Sequence, residues 1–305
     1  MPGKLLAMAA LCCLLCLPAL AGCSADPPTV TPPIPTTDPG ARATAPAGAV
    51  SWSVEPLNTK LGIGFERVAF RLNDGAGQPV RSGTIELVFY RVTSDGATQR
   101  VATGQALYFG PTLPGGGSWV AYTEFDSSGP WVMDINGRTD DGRTGTAESQ
   151  LLVSGRDGMP TYGFPPPEIE TPSLADGLSL EQLSSDRSPL EMLYRQSVSE
   201  AVGQGKPALI HFGSPAHCEG DACRAAMTEI RAIATRYGER LNTVHVESRD
   251  LENPSELSEA AKAWDLPSEP WTFLFDGSGF LAVRVEGAIG NTELGLLIDR
   301  VLSGQ

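Results

Sequence analysis

Residues 206–223 read KPALIHFGSPAHCEGDAC, and the fold of the second half of the chain can be predicted from them outward. Its apolar part, residues 207–212, has the length and composition of a fully buried β-strand. Two cysteines, Cys218 and Cys223, follow closely, and Asp221 between them is a candidate N-cap. The stretch therefore predicts a strand, a loop with one cysteine, and a helix with the other cysteine in its first turn.

The residues around this stretch alternate between helix and strand patterns. Apolar spacing close to the helical period, with start and stop residues, predicts helices, and short apolar runs predict strands. This order predicts a mixed sheet with helices on both faces. The predicted segments are helix 188–203, strand 207–212, helix 222–238, strand 244–246, helix 254–264, strands 271–275 and 280–285, and helix 291–302.

Residues from about 180 to 305 resemble the thioredoxin-like superfamily. The likeness rests on the Lys-Pro pair that opens residues 206–223, on the cysteine pair at a helix start, and on Pro270 directly before a predicted strand. The chain is similar to membrane-tethered thioredoxin-like proteins of bacteria, some of which have a widened cysteine motif. The resemblance implies a thioredoxin-like α/β fold in which a cis Pro270 faces a redox-active pair, Cys218 and Cys223.

Four residues separate Cys218 from Cys223, whereas the usual motif of the superfamily has two. A wholly helical segment would hold the two Cα atoms roughly 8–9 Å apart, too far for a disulfide. Gly220 and the candidate N-cap Asp221 favour a helix that starts only at Ala222, so that a disulfide can close. Cys223 would then lie in the first helical turn, where free amides and the helix dipole favour a thiolate.

Charged residues near the pair act in both directions, and the sequence leaves the attacking cysteine open. An imidazolium at His217 would favour a thiolate at Cys218, while Glu219 and Asp221 oppose it. Glu269 would place another carboxylate beside the pair and weaken its attack. The resemblance favours Cys218, the cysteine in the loop, as the nucleophile.

Two further histidines lie in predicted strands. His211 occupies the position at which many thioredoxins have a buried acid that relays protons, and a relay and a packed core imidazole are both open there. His245 lies in mid-strand and is expected to be structural. Copper chaperones of this fold combine two cysteines with a late histidine, and this chain has no histidine after His245. We therefore predict no metal site and no dissociable cofactor.

Residues 49–154 have a period of two. Val68, Phe70 and Leu72 alternate with other residues, and turn residues separate several such runs. Short alternating strands of this kind predict an antiparallel β-sandwich. Residues 119–135 resemble the closing strands of immunoglobulin-like domains in exported bacterial proteins. The region has no His, no Cys and a single Met, so a spacer or docking module is the favoured role.

The chain begins with one basic residue and an apolar run over residues 5–20, the pattern of an export signal. Residues 20–23 read LAGC, which resembles the lipobox of bacterial lipoproteins. That resemblance implies cleavage before Cys23, a lipid on its sulfur, and a membrane-anchored protein on the extracytoplasmic side. An uncleaved transmembrane anchor is the alternative, and it also places the folded part outside the cytoplasm.

The predicted organisation has five parts. Once the signal is removed and Cys23 is lipidated, Cys218 and Cys223 are the cysteines left to pair, and a disulfide persists outside the cytoplasm. The formal net charge of −14 opposes binding to nucleic acid and to anionic headgroups. The parts are a signal peptide 1–22, a Pro-rich tether 23–48, an immunoglobulin-like sandwich 49–154, a Pro-rich linker 155–178 and a thioredoxin-like domain 179–305.

These features predict an extracytoplasmic, lipid-anchored thiol–disulfide oxidoreductase or redox carrier. Its expected partners are exported proteins with thiols or disulfides, and nucleic acid is not among them. Two alternatives stay open: a surface lipoprotein that uses the fold as a binding scaffold, with the cysteine pair as an inert clip, and a copper chaperone. The expected catalytic residues are Cys218, Cys223, Pro270, His211 and His217, and Cys23 is the expected lipidation site.

Overall fold

In the computed structural model, residues 48–155 and 158–304 are described. They belong to one compact unit and contain two β-sheets, one of nine strands and one of four. No helix within these ranges is long and apolar enough to cross a membrane. The predicted signal peptide, the lipidation site Cys23 and most of the tether lie outside the described residues.

Residues 48–155, which we term the β half, contain the larger sheet. Its strands are β1 (Val50–Ser51), β2 (Ser53–Pro56), β3 (Leu61–Gly62), β4 (Gly64–Asn73), β5 (Thr84–Val92), β6 (Thr98–Phe109), β7 (Ser118–Phe125), β8 (Gly129–Arg138) and β9 (Thr144–Ser154). Their order is β1-β9-β8-β5-β6-β7-β4-β2, and β3 pairs with β9. Strand β6 pairs with β5 along its first part and with β7 along its last residues, so it joins two groups of strands.

Alternate residues of these strands face one core, as the period of two predicted. Phe70 of β4 and Ile85 of β5 are fully buried in it, so both groups of strands contribute. Phe125 and Trp131 meet edge to face, with ring centroids 5.0 Å apart. Burial of these large apolar side chains is the main stabilising contribution in this half. The predicted β-structure is confirmed, and the immunoglobulin-like assignment stays a prediction.

Residues 158–304, which we term the α/β half, contain the smaller sheet. Its elements are α1 (Leu180–Leu183), α2 (Val198–Ala201), β10 (Ala208–Phe212), α3 (Ala222–Tyr237), β11 (Asn242–Val246), α4 (Glu259–Ala263), β12 (Trp271–Phe275), β13 (Leu281–Glu286) and α5 (Asn291–Leu302). The strand order is β11-β10-β12-β13, with β10 and β11 parallel and the other pairs antiparallel. This is the thioredoxin-like order. Every residue of β10 and β12 is buried, as expected for central strands covered on both faces.

The predicted continuous helix over residues 188–203 is wrong. The structure has a 3₁₀ turn at Glu191–Leu193 and, separately, the short helix α2. Ser197 explains the break, because its hydroxyl accepts a hydrogen bond from the Glu200 N–H while the Glu200 carboxylate accepts one from the Ser197 N–H. This capping box starts a new helix, so the apolar spacing belongs to two elements.

The predicted helix over residues 254–264 is shorter in the structure. Helix α4 begins after Ser258, whose hydroxyl accepts from the Ala261 N–H and donates to the Glu247 carbonyl. The spacing of apolar residues, on which the prediction rested, gives no signal for this polar cap. The start of α3, the hairpin β12–β13 and the terminal helix α5 are confirmed.

The Pro-rich segment at the start of the α/β half packs against the rest of that half. Met159 is buried in the core of that half. The Gly163 N–H donates to the Leu281 carbonyl, and the Leu281 N–H donates to the Phe164 carbonyl. The predicted linker segment therefore packs beside β13. The predicted domain boundaries stay predictions.

Two buried ion pairs join the β half to the α/β half. Arg67 of β4 contacts Glu293 of α5 through N···O distances of 2.6 and 3.0 Å, and the Tyr122 hydroxyl donates to the same carboxylate at 2.6 Å. Arg284 of β13 contacts Glu66 of β4 at 2.7 Å. These four charged side chains are at most 5% exposed. A charge that stays buried without its partner is strongly destabilising, so these pairs disfavour any other packing of α5 and β13 against β4.

Candidate functional site

Cys218 and Cys223 form a disulfide between the loop after β10 and the first turn of α3. Their Cα atoms are 5.9 Å apart, because α3 begins only at Ala222 and leaves Cys218 in the loop. The predicted helix start and the predicted closure are confirmed. Asp221 occupies the N-cap position, but its side chain makes no capping hydrogen bond and pairs with Arg224 instead.

The two sulfur-bearing residues differ in exposure. Cys223 is fully buried, whereas Cys218 is partly exposed. The loop is held at Ser214, whose carbonyl accepts from the N–H groups of His217 and Cys218, both at 2.9 Å. The Ser214 hydroxyl accepts from the Arg249 N–H at 2.8 Å. A thiol or disulfide that approaches from solvent therefore reaches Cys218 first.

Gly213, directly after β10, is the point at which three predicted site residues meet. A Cβ atom on Gly213 would lie 3.2 Å from Nε2 of His211, 3.5 Å from Cβ of Pro270 and 3.8 Å from Cβ of Cys223. The Glu269–Pro270 peptide is cis, as the resemblance implied. The structure thus brings Cys223, Pro270 and His211 together around a residue without a side chain. No sequence pattern singled out Gly213, although a glycine beside a buried strand often marks a close approach.

Glu269 brings a carboxylate to the disulfide. One of its oxygens and the Sγ atoms of Cys218 and Cys223 all lie within 4.8 Å of one another. Its Oε1 accepts from Nε of Arg249 at 2.8 Å, and Oε2 is buried without a hydrogen-bond partner among the described residues. The carboxylate that the sequence placed beside the pair is confirmed. Arg249 was missed, because no pattern marks a counter-ion 20 residues away in a loop.

His211 is a buried imidazole behind the disulfide. Its Nδ1 lies 3.0 Å from the Thr272 hydroxyl, and its Nε2 is buried without a hydrogen-bond partner within the described ranges. Burial, followed by the nearby His245, lowers the pKa of His211 well below its usual value. The side chain is therefore uncharged at neutral pH. Its role as a proton relay stays a prediction.

His245 holds the strand end that leads to the cysteine loop. Its Nε2 lies 3.0 Å from the Gly213 carbonyl, and its Nδ1 lies 2.9 Å from the Tyr194 hydroxyl. Burial lowers the pKa of His245. The neutral ring satisfies both contacts when Nε2 donates to the carbonyl and Nδ1 accepts from Tyr194. These contacts match the structural role that we expected of His245.

His217 is exposed in the turn before Cys218. Its backbone N–H helps to close that turn through the Ser214 carbonyl. The structure places its side chain at the surface, apart from the buried group around Gly213. Its predicted influence on the Cys218 thiolate stays a prediction.

No known family model matches this chain, and no curated relative matches it. Among solved structures, a thiol:disulfide interchange protein of the thioredoxin family from Chlorobium tepidum TLS is similar at 14% identity and a TM-score of 0.32, covering 47% of this chain and 98% of that chain. A thioredoxin-like protein in the oxidized form has 20% identity and a TM-score of 0.31, covering 42% of this chain and 99% of its own. A fibronectin type-III domain of a human protein has 14% identity and a TM-score of 0.20, covering 38% of this chain and 93% of its own. Likenesses of this size carry no argument about the present chain.

Three observations on the chain itself bear on the kind of site that it contains. The strand order β11-β10-β12-β13 is the order expected for a thioredoxin-like fold. A disulfide joins the loop after β10 to the start of α3, and a cis proline precedes β12. A disulfide in this position fits a thiol–disulfide redox role.

Proposed function

We propose that this chain is a thiol–disulfide oxidoreductase, or a redox carrier of that type, with Cys218 and Cys223 as its centre. The observation that carries the proposal is the unequal exposure of the two joined residues, with Cys218 accessible and Cys223 buried beside cis Pro270. Exchange needs an accessible sulfur that forms a mixed disulfide and a protected neighbour that resolves it. An inert clip needs neither property.

The proposed reaction proceeds in two exchanges. In the reduced protein, the Cys218 thiolate attacks one sulfur of a partner disulfide and forms a mixed disulfide, and the other partner sulfur leaves and takes up a proton. The Cys223 thiolate then attacks Sγ of Cys218, which releases the second partner thiol and forms the internal disulfide. Two electrons pass from the protein dithiol to the partner disulfide, and the two thiol protons end on the partner thiols. The step needs no dissociable cofactor.

We place this chemistry on the extracytoplasmic side of a membrane, with the protein anchored through Cys23. The apolar run over residues 5–20 and the lipobox-like residues 20–23 support this placement. The proposed partners are exported proteins with thiols or disulfides. We propose that the β half is an immunoglobulin-like domain that acts as a spacer or docking module. In metabolic labelling, a labelled fatty acid should be incorporated into the wild-type protein and not into Cys23→Ala. A wild-type protein that stays unlabelled would contradict the proposed lipid anchor.

The reduction potential of the pair tests the proposed activity. Thiol trapping of the mature chain across a series of redox buffers measures it. We expect a value of roughly −120 to −270 mV, the range of working oxidoreductases. A value well below about −300 mV, or a pair that never closes, contradicts the proposal and leaves the scaffold alternative.

Matched cysteine variants test which sulfur meets the partner. Cys223→Ser lacks the resolving thiol, so it should accumulate mixed disulfides through Cys218 that a reductant releases. Cys218→Ser is the control, and we expect little capture because its remaining cysteine is fully buried. Equal capture by both variants contradicts the assignment of Cys218 as the exchanging residue.

Delivery of Cu(I) is a second candidate function, and the donor set supports it. The two sulfurs and a Glu269 oxygen lie within 4.8 Å of one another, and thiolates suit a soft ion such as Cu(I). Stoichiometric Cu(I) binding by the reduced chain, lost in the Cys218→Ser/Cys223→Ser variant, would favour this candidate. Redox cycling without Cu(I) binding would exclude it.

A further inference from the structure

Glu269 gives the proposed electron transfer a direction, and this inference rests on the proposed function. We propose that the Glu269 carboxylate disfavours thiolates at Cys218 and Cys223, favours the disulfide, and so makes the reduced protein an electron donor to partner disulfides. Neither the cysteine spacing nor the strand order assigns a direction. The charge around the two sulfurs assigns the direction of electron transfer.

The carboxylate lies close to both sulfurs and is itself largely shielded from solvent. One Glu269 oxygen lies within 4.8 Å of each Sγ atom, and the side chain is 6% exposed. At such a distance, two like charges repel more strongly near the protein interior than in bulk water. Oε2 is buried without a hydrogen-bond partner in the described part of the chain, so no such donor offsets its negative charge.

Arg249 holds the carboxylate in position without cancelling its effect. Its Nε contacts Oε1 of Glu269 at 2.8 Å, which fixes the side chain beside the disulfide. The Arg249 side chain is 31% exposed, whereas that of Glu269 is 6% exposed. Water and salt therefore screen the cation more than the anion. The field at the sulfurs keeps the sign of the carboxylate.

The other charged groups near the pair do not reverse this sign. Glu219 and Asp221 are exposed carboxylates, and Asp221 is paired with Arg224. His217 is exposed to water, which screens any charge that it carries. The amides at the start of α3 favour a thiolate at Cys223, but Cys223 is fully buried, and burial disfavours a charged sulfur.

A negative neighbour acts on one side of the redox equilibrium. The disulfide carries no charge, whereas the reduced pair loses protons to form thiolates. A nearby carboxylate therefore raises the free energy of the reduced form and lowers the reduction potential. In the donor direction, the dithiol gives two electrons and two protons to a partner disulfide, which becomes two thiols. A dithiol protein of still lower potential must then reduce the Cys218–Cys223 disulfide again.

Glu269→Gln in the full mature chain tests the inference, because it removes the charge and keeps the shape. At about pH 8.5, where thiolates form, we expect the equilibrium with a dithiol buffer to shift on the order of tenfold toward the reduced protein, which corresponds to about 30 mV. This shift of the redox equilibrium should shrink as the pH falls toward 6, because neutral thiols interact only weakly with the charge of the carboxylate. A merely structural role would not give this pH profile.

Glu259→Gln is the matched control, since Glu259 is an exposed carboxylate on α4 that pairs with Lys262. It should leave the equilibrium unchanged within about twofold. Glu269→Met, a second uncharged variant of similar size, should shift the equilibrium in the same direction as Glu269→Gln and keeps the test open if one of the two fails to fold.

The outcomes separate the two proposals. A wild-type pair that cycles, with a potential that both Glu269 variants leave unchanged, overturns the role of Glu269 and leaves the proposed function intact. A shift of both variants toward the disulfide also overturns it. A wild-type pair that never cycles overturns the proposed function and the inference together.

Discussion

At the scale of single residues, two buried imidazoles make this protein sensitive to acid. Burial lowers the pKa of both His211 and His245 in the folded chain. In the unfolded chain a histidine has its ordinary pKa of about 6.5. Below that pH the unfolded chain binds more protons than the folded chain, so stability falls as the pH falls from about 6.5 toward the folded pKa values. Above about pH 6.5 both rings are neutral in both states, and the stability is retained.

The free energy of unfolding should therefore decrease by up to about 1.4 kcal/mol per pH unit for each imidazole below pH 6.5. Denaturant unfolding of the wild type, His211→Gln and His245→Gln between about pH 7.5 and 5 measures this slope. Each replacement should reduce the slope, because other titrating groups contribute equally to wild type and variant. Identical slopes in all three proteins would contradict the assignment.

At the scale of elements, capping side chains set the boundaries that apolar spacing failed to predict. Ser197 and Glu200 form a capping box at the start of α2, and Ser258 caps α4. Both caps lie inside segments whose spacing alone predicted longer helices. The strand β10 was predicted almost to the residue, because a strand buried on both faces must be apolar along its whole length.

Ser197→Ala should lower the free energy of unfolding by about 1 kcal/mol, because it removes one half of the capping box. Ser188→Ala is the matched control, since Ser188 is exposed in the preceding segment, and a change within about 0.5 kcal/mol is expected there. Urea unfolding followed by far-UV circular dichroism measures both. Equal losses in the two variants would show that the cap does not stabilise α2.

At the scale of the whole molecule, the two halves are joined through charge as well as apolar contact. Burial is the largest single effect and acts to lower the pKa of Arg67, but the charge and hydrogen bonds of Glu293 and Tyr122 together outweigh it and raise that pKa above its usual value. The guanidinium therefore stays charged, and its charge is balanced only while α5 lies against β4. Phe65 of β4 stacks on Tyr122 with centroids 5.5 Å apart, and both pack against the core of the α/β half.

Glu293→Gln should lower the free energy of unfolding by about 3–5 kcal/mol, because it leaves Arg67 buried and charged without a partner. Glu191→Gln is the control, since it breaks an exposed pair with Arg195 and should cost at most about 1 kcal/mol. Urea unfolding of the mature chain compares them. A loss for Glu293→Gln no greater than that of the control would show that the interface does not depend on this pair.

Sequence patterns were enough to predict the order of helices and strands from β10 onward, the β-structure of the first half, and the helix start that lets Cys218 and Cys223 close. These features are local, because period, apolar runs and Gly220 act over a few neighbouring residues. The folded chain alone reveals the Glu269–Arg249 contact, the meeting of His211, Pro270 and Cys223 at Gly213, and the ion pair of Arg67 with Glu293, 226 residues apart. Such contacts join residues that are distant along the chain, and their energy depends on burial, which no local pattern contains.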